Sequence, residues 1–177
     1  MLAGKLKKLH SMYNTLLDCM MMTRNQVLAL FGALLCLSNC APHATGPRTV
    51  VDDAKTAHIL LGEHDFSLQW VSWDDFGVAS VTKTSGLWRI NGRQDSKEND
   101  DYITIDGVIT EISAYEFIFD GTIVTRIHHI AGGNEVIRKG LKTFRMTRGR
   151  PYWRMMETNN PSDSVVDYID VFVRRPK

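Results

Sequence analysis

The sequence predicts an all-β domain: one antiparallel meander barrel or sandwich of about eight to ten short strands, preceded by a signal peptide and a tether. Three observations predict it. From His64 onward the apolar residues recur with a period of two, as in Phe66, Leu68 and Trp70 alternating with Ser67, Gln69 and Val71. Turn-forming residues interrupt these runs at short, regular intervals. No stretch after residue 62 carries a convincing helical periodicity.

Val78–Lys83 and Leu87–Ile90 are the next runs, followed by the hydrophilic loop Asp95–Asp101. Tyr102–Ile105 and Val108–Ile112 flank Asp106-Gly107, while Phe117–Phe119 and Ile123–Ile130 flank Asp120-Gly121. Asp-Gly suits a tight hairpin because both central residues need positive φ, so each pair is expected to be a turn. Ala131-Gly132-Gly133-Asn134 is a further turn. Val136–Ile137, Leu141–Thr147, Tyr152–Glu157 and Val165–Val173 complete the set, the last placed to close a barrel against an early strand. One hairpin can be read in register. With Gly149-Arg150 as its loop, Arg145 opposes Arg154 and Phe144 opposes Met155. One face is then Phe144, Met146, Trp153 and Met155, and a one-residue slip would mix the faces.

The first 39 residues read as an address. Val27–Leu37 is an uncharged run of eleven residues with Arg24 before it. It is too short to span a bilayer as a helix, which needs about 20 residues. It fits the apolar segment of a secretory signal. Leu2, Leu6, Leu9, Tyr13, Leu16 and Leu17 recur upstream at helical spacing, and a start at Met20, Met21 or Met22 would give a signal of ordinary length. Leu37-Ser38-Asn39-Cys40 resembles the lipobox of bacterial lipoproteins, with Asn39 where Gly or Ala is usual. The resemblance implies cleavage before Cys40, acylation of its thiol, and a domain held outside the cytoplasm, in the periplasm or at the cell surface. Residues 40–62 are then a lipidated tether with a short helix near Val51–Leu61, and residues 63–177 the β-rich domain.

The charge balance narrows function. The whole chain has 21 Lys+Arg and 20 Asp+Glu in 177 residues, and all three cysteines lie in the first 40. From Cys40 onward there are 17 Lys+Arg and 19 Asp+Glu, which disfavours nucleic acid as a partner. Within this mildly acidic domain Val136–Met156 holds seven cations and no carboxylate. Arg145 and Arg154 opposite each other would repel, so a carboxylate or an external anion is required. The candidate site is Arg145, Arg154, Tyr152, Arg148 and Arg150, since guanidinium forks suit phosphate and carboxylate and a tyrosine ring can stack. The competing reading is a solvated face neutralised by Glu111, Glu116 or Asp120. Asp167 and Asp170 interrupt the apolar C-terminal strand, and one of them is expected to pair with an arginine of the stripe.

Other constellations read as structural. Asp95, Glu98, Asp100 and Asp101 crowd one loop without a calcium-binding signature. His128 and His129 are neighbours on a predicted strand, would point to opposite faces, and are not expected to share a metal. No metal or cofactor is assigned. Catalytic motifs such as G-x-S-x-G and H-E-x-x-H do not occur, so the expectation is a non-enzymatic binding or scaffold domain. Gly86-Leu87-Trp88 resembles the G-x-W fragment of lipocalins and other calycin barrels, which implies a carrier with Trp70, Trp73, Trp88 and Trp153 lining an apolar cavity. A third class is an inhibitor or accessory subunit of an envelope enzyme, acting through loops such as Asp95–Asp101.

Overall fold

A computed structural model describes residues 46–147 and 149–173. The signal peptide, the lipobox-like segment with Cys40, the first part of the tether and Arg148 lie outside the described residues.

The elements, in chain order, are β1 (Val50–Val51), α1 (Ala54–Leu60), β2 (Gly62–Leu68), β3 (Gly77–Thr84), β4 (Leu87–Asp95), β5 (Tyr102–Ser113), β6 (Glu116–Arg126), a 3-10 turn (Ala131–Gly133), β7 (Glu135–Arg145), β8 (Tyr152–Met155) and β9 (Ile169–Phe172). Strands β2 to β9 pair antiparallel with their sequence neighbours. The β2–β9 ladder, with Phe66 opposite Val171, closes them into an eight-stranded barrel. The C-terminal run therefore does close on an early strand. Strand β1 is an addition. It runs parallel to β5 at Glu111 and Ile112, beyond the β4 ladder and past a bulge between Ile109 and Glu111.

Period-two patterning produces the core directly. Along β4, Trp88, Ile90 and Gln94 turn inward while Arg89, Asn91 and Arg93 face water. Ile103, Ile105 and Ile109 of β5 meet Phe117, Phe119 and Ile123 of β6, all fully buried. Phe66, Phe144 and Trp153 fill the interior with them, and the Phe117 and Phe144 rings stack at 4.8 Å.

The two Asp-Gly pairs are not turns. β5 runs unbroken through Asp106-Gly107 and β6 through Asp120-Gly121, with Gly107 directly opposite Gly121. Neither glycine has positive φ. Their role is space. A Cβ on Gly107 would stand 2.6 Å from the Phe119 ring and 2.7 Å from Gly121 Cα, so the paired glycines let that ring lie across the ladder. The real hairpins turn at Ser85-Gly86, both with positive φ as a type I′ turn requires, and at Ala114-Tyr115, with Tyr115 at φ 63°. Val136–Ile137 and Leu141–Thr147, read as two strands, form the single strand β7.

The barrel has two unlike ends. One carries the short turns 85–86 and 114–115 and is covered by α1. Asp53 caps that helix by accepting from Thr56 N at 2.5 Å, and Ala57 and Leu60 are buried in the core. Buried His64 lies beneath, with Nε2 2.8 Å from Leu60 O and Nδ1 2.9 Å from Phe172 O, tying the helix to β9. The other end carries the longer connections 69–76, 96–101, 127–134 and 156–168. Among the described residues no helix is long and apolar enough to cross a membrane.

Candidate functional site

The ribbon register holds: Arg145 opposes Arg154 and Phe144 opposes Met155. Phe144, Trp153 and Met155 are buried, and Met146 packs against the core. The hydrogen-bonded turn runs from Thr147 to Arg150 (3.2 Å), one residue earlier than the Gly149-Arg150 loop.

The opposed arginines are neutralised from the flanking strands. Arg145 pairs with Glu116, its cross-strand neighbour on β6. Arg154 makes a bidentate pair with Asp170 of β9, Nε to Oδ1 at 2.8 Å and Nη2 to Oδ2 at 2.6 Å. The bond to Asp170 raises the Arg154 pKa further. Burial pushes the Asp170 carboxyl up, against the opposing pull of Arg154. The cationic stripe is thus largely self-compensated at these two positions, and an anion site narrows to Arg150 and Tyr152. Arg150 lies 5.7 Å and Arg154 5.1 Å from the Tyr152 ring centre, and Arg154 lies 4.2 Å from that of Tyr168. Phe172 adjoins Tyr152 at 5.1 Å, and half-exposed Phe76 adjoins Phe172 at 4.9 Å. The result is an aromatic and guanidinium face across β8 and β9, stiffened by Asp170.

The four tryptophans do not share a cavity. Trp153 is in the core, Trp88 is buried near Lys83, Trp70 sits at the loop end, and Trp73 is exposed. Gly86 to Trp88 spans the turn into β4, the third strand of the barrel. The interior is occupied by the side chains that form the core.

The loop end holds a polar cluster that sequence reasoning reached only in part. Arg138, on the inward face of β7, pairs with Asp167, with side chains 4% and 1% exposed. Asp167 also accepts from Trp70 Nε1 (2.9 Å) and Asn160 Nδ2 (3.0 Å), and Arg138 donates to Thr125 at 3.3 Å. Burial lowers the Arg138 pKa and raises that of Asp167, each opposed by its partner. Both aspartates, Asp170 on β9 and Asp167 in the connection before it, rather than one, therefore pair with arginines of the stripe. Gln94, also buried, accepts from Leu68 N (2.7 Å) and donates to the carbonyls of Ser72 and Asp75, pinning loop 69–76.

In the loop Asp95–Asp101 the carboxylates diverge. Asp95 pairs with Arg93, and Asp101 turns inward. There it meets the two histidines. Strand β6 stops at Arg126, so His128 and His129 lie in a turn rather than on a strand. Their rings converge to 4.6 Å, which overturns the opposite-faces argument. The legible signal was the flanking pair Ile127 and Ile130. Both are buried, and Ile130 N donates to Ile127 O at 3.0 Å across the turn.

No solved structure matched the chain. A family model described as the PM1083 family matches residues 48–173, which spans β1 to β9. An uncharacterized protein of Pasteurella multocida (strain Pm70), PM1083, is 39% identical over 146 residues, covering 82% of this chain and 92% of that protein. The closed eight-stranded barrel with its added strand is therefore the fold of a member of the PM1083 family.

Proposed function

We propose that the chain is a lipid-anchored protein of the bacterial envelope whose barrel serves as a non-enzymatic binding or scaffold module. The observation that carries this reading is the order of segments. An eleven-residue apolar run ends at Leu37, the first residue of Leu37-Ser38-Asn39-Cys40, and the cysteine-free barrel begins at Gly62, 22 residues after Cys40. Two or more acyl chains on one thiol-bearing terminus hold a protein stably at a membrane. The barrel needs no disulfide because its apolar interior is continuous. A filled interior favours surface recognition over the carriage of an apolar ligand. The surface that suits recognition is the Arg150, Tyr152, Arg154 and Tyr168 face, which can stack on a ring and neutralise an anionic group. An envelope protein or an anionic envelope component fits that chemistry, and nucleic acid does not suit a net-acidic domain.

The test is Cys40→Ser, followed by fractionation and by metabolic labelling with palmitate. Wild type is expected in the membrane fraction carrying label, and the variant in the soluble fraction without it. A variant that stays membrane-bound, or a wild type that never takes label, would overturn the anchor.

A further inference from the structure

The turn that carries His128 and His129 is built for exposure. Buried Ile127 and Ile130 fasten its two ends into the barrel mouth, and the two imidazoles between them project together, with rings 4.6 Å apart at 71°. Asp101 approaches from the neighbouring loop and is held there. Its N–H donates to Asn99 Oδ1 (2.9 Å), and its carbonyl accepts from Ser96 N (2.8 Å). Its carboxylate accepts from His128 N and faces His128 Nδ1, both at 2.7 Å. That side chain is only 4% exposed, and among the described residues no lysine or arginine forms an ion pair with it. A buried carboxylate needs a cation close by. The groups positioned to supply or hold one are the two histidines.

We propose that Asp101, His128 and His129 form a binding site for a divalent transition metal of the Zn²⁺ type. One donor atom from each residue lies within 4.8 Å of the others. Two imidazole nitrogens and a carboxylate oxygen are a donor set that suits zinc, and its neighbours in the series bind such sets too. With bonds of about 2.0–2.1 Å, tetrahedral ligands sit about 3.4 Å apart. The 2.7 Å contact between His128 Nδ1 and Asp101 opens while the longer separations close, and both adjustments fall to the exposed imidazoles rather than to the buried carboxylate. Ligation through His128 Nδ1 places that ring's proton on Nε2, so the imidazole binds as the neutral tautomer. Three protein ligands leave one position for water. The two exposed imidazoles open the site directly to solvent. The site is independent of acylation at Cys40.

Zn²⁺ titration calorimetry on the chelator-treated full chain in detergent tests this, with His129→Ala, His128→Ala and the remote His58→Ala compared in parallel. Among the described residues exposed His129 makes only ring contacts, with Trp70 and His128, so its loss is expected to leave the fold intact. Wild type is expected to bind, with affinity at least about tenfold weaker in each of the first two variants and unchanged in His58→Ala. Zn²⁺ should also raise the thermal midpoint of wild type and not of His129→Ala. Cysteine-derived binding would be common to all four proteins. Equal affinity in wild type and His129→Ala, or no saturable binding by about 100 μM Zn²⁺, would overturn the proposal and leave an Asp101–His128 hydrogen bond only.

Discussion

The two ends of the barrel are closed by different physics. At the turn end, α1 lays Ala57 and Leu60 over the core, and two of the connections, 85–86 and 114–115, are two-residue turns, beside the six-residue connection 146–151. At the loop end the lid is polar: Gln94, Asp101, Arg138, Asn160 and Asp167 are buried, and strand-borne Gln94 and Arg138 reach partners in the loops as well as Leu68 and Thr125 on other strands. Apolar closure is non-directional and tolerates adjustment. A buried polar lid is directional, because each group left without a partner costs stability, so it dictates where each loop lies; here Arg138 Nε alone of that guanidinium's buried nitrogens goes without a partner. Asp101, the buried member of the candidate metal site, belongs to that lid.

The sharpest way to break this contrast is to remove one member of each lid. Arg138→Met strands Asp167 in the interior and is expected to cost about 3–5 kcal/mol in urea unfolding. Adding Asp167→Asn should recover a large part of that loss, because the uncompensated charge is gone. Leu60→Ala should cost about 2–5 kcal/mol, with no second substitution that restores it except one that refills the volume. If Arg138→Met cost under about 1 kcal/mol, the loop end would be held by something other than the ion pair.

Gly121→Ala is expected to come next, at about 1–3 kcal/mol, since its methyl would meet the Gly107 backbone and the Phe119 ring. A tight turn would have lost stability for a different reason, positive φ, which Gly121 does not have. Restoring room with Phe119→Leu in the same chain should therefore soften the penalty. An unchanged penalty in the double variant would point to the backbone contact alone.

These particulars explain what was legible. Alternation along a strand reports which side faces the core, so the Phe144–Met155 register and the closing role of the C-terminal run are readable from the residues alone. The same reasoning required a carboxylate near Arg145 and Arg154 and named Glu116 and Asp170 among the candidates; which of them stands opposite which arginine is set by the ladders. The Asp-Gly pairs misled because glycine has two uses, positive φ and absence of a side chain. Only the aromatic ring two residues before Gly121 hinted at the second. Likewise His128 and His129 follow a clean strand, and only the three-residue step from Ile127 to Ile130 marks the loss of alternation past Arg126. The Asp101–His128 contact joins two loops 27 residues apart and belongs to tertiary structure alone.

The smallest effect concerns pH and separates the ends by sign. At the turn end, the hydrogen bond from Thr56 N holds the Asp53 carboxyl below the usual carboxylate value of about 3.9. Its contribution is complete above that value and is lost as pH falls through the depressed one. Asp167, near the loop end, and Asp170 are pushed up by burial, so their proton-linked contribution is full below about 3.9 and declines as pH rises through their raised values. Asp53→Asn should therefore lower the thermal midpoint slightly at pH 7, with the gap to wild type closing as pH falls from about 5 toward 2. A gap that stayed constant with pH would mean that the cap acts through geometry and not through charge, and would remove the turn end from the electrostatic half of the comparison.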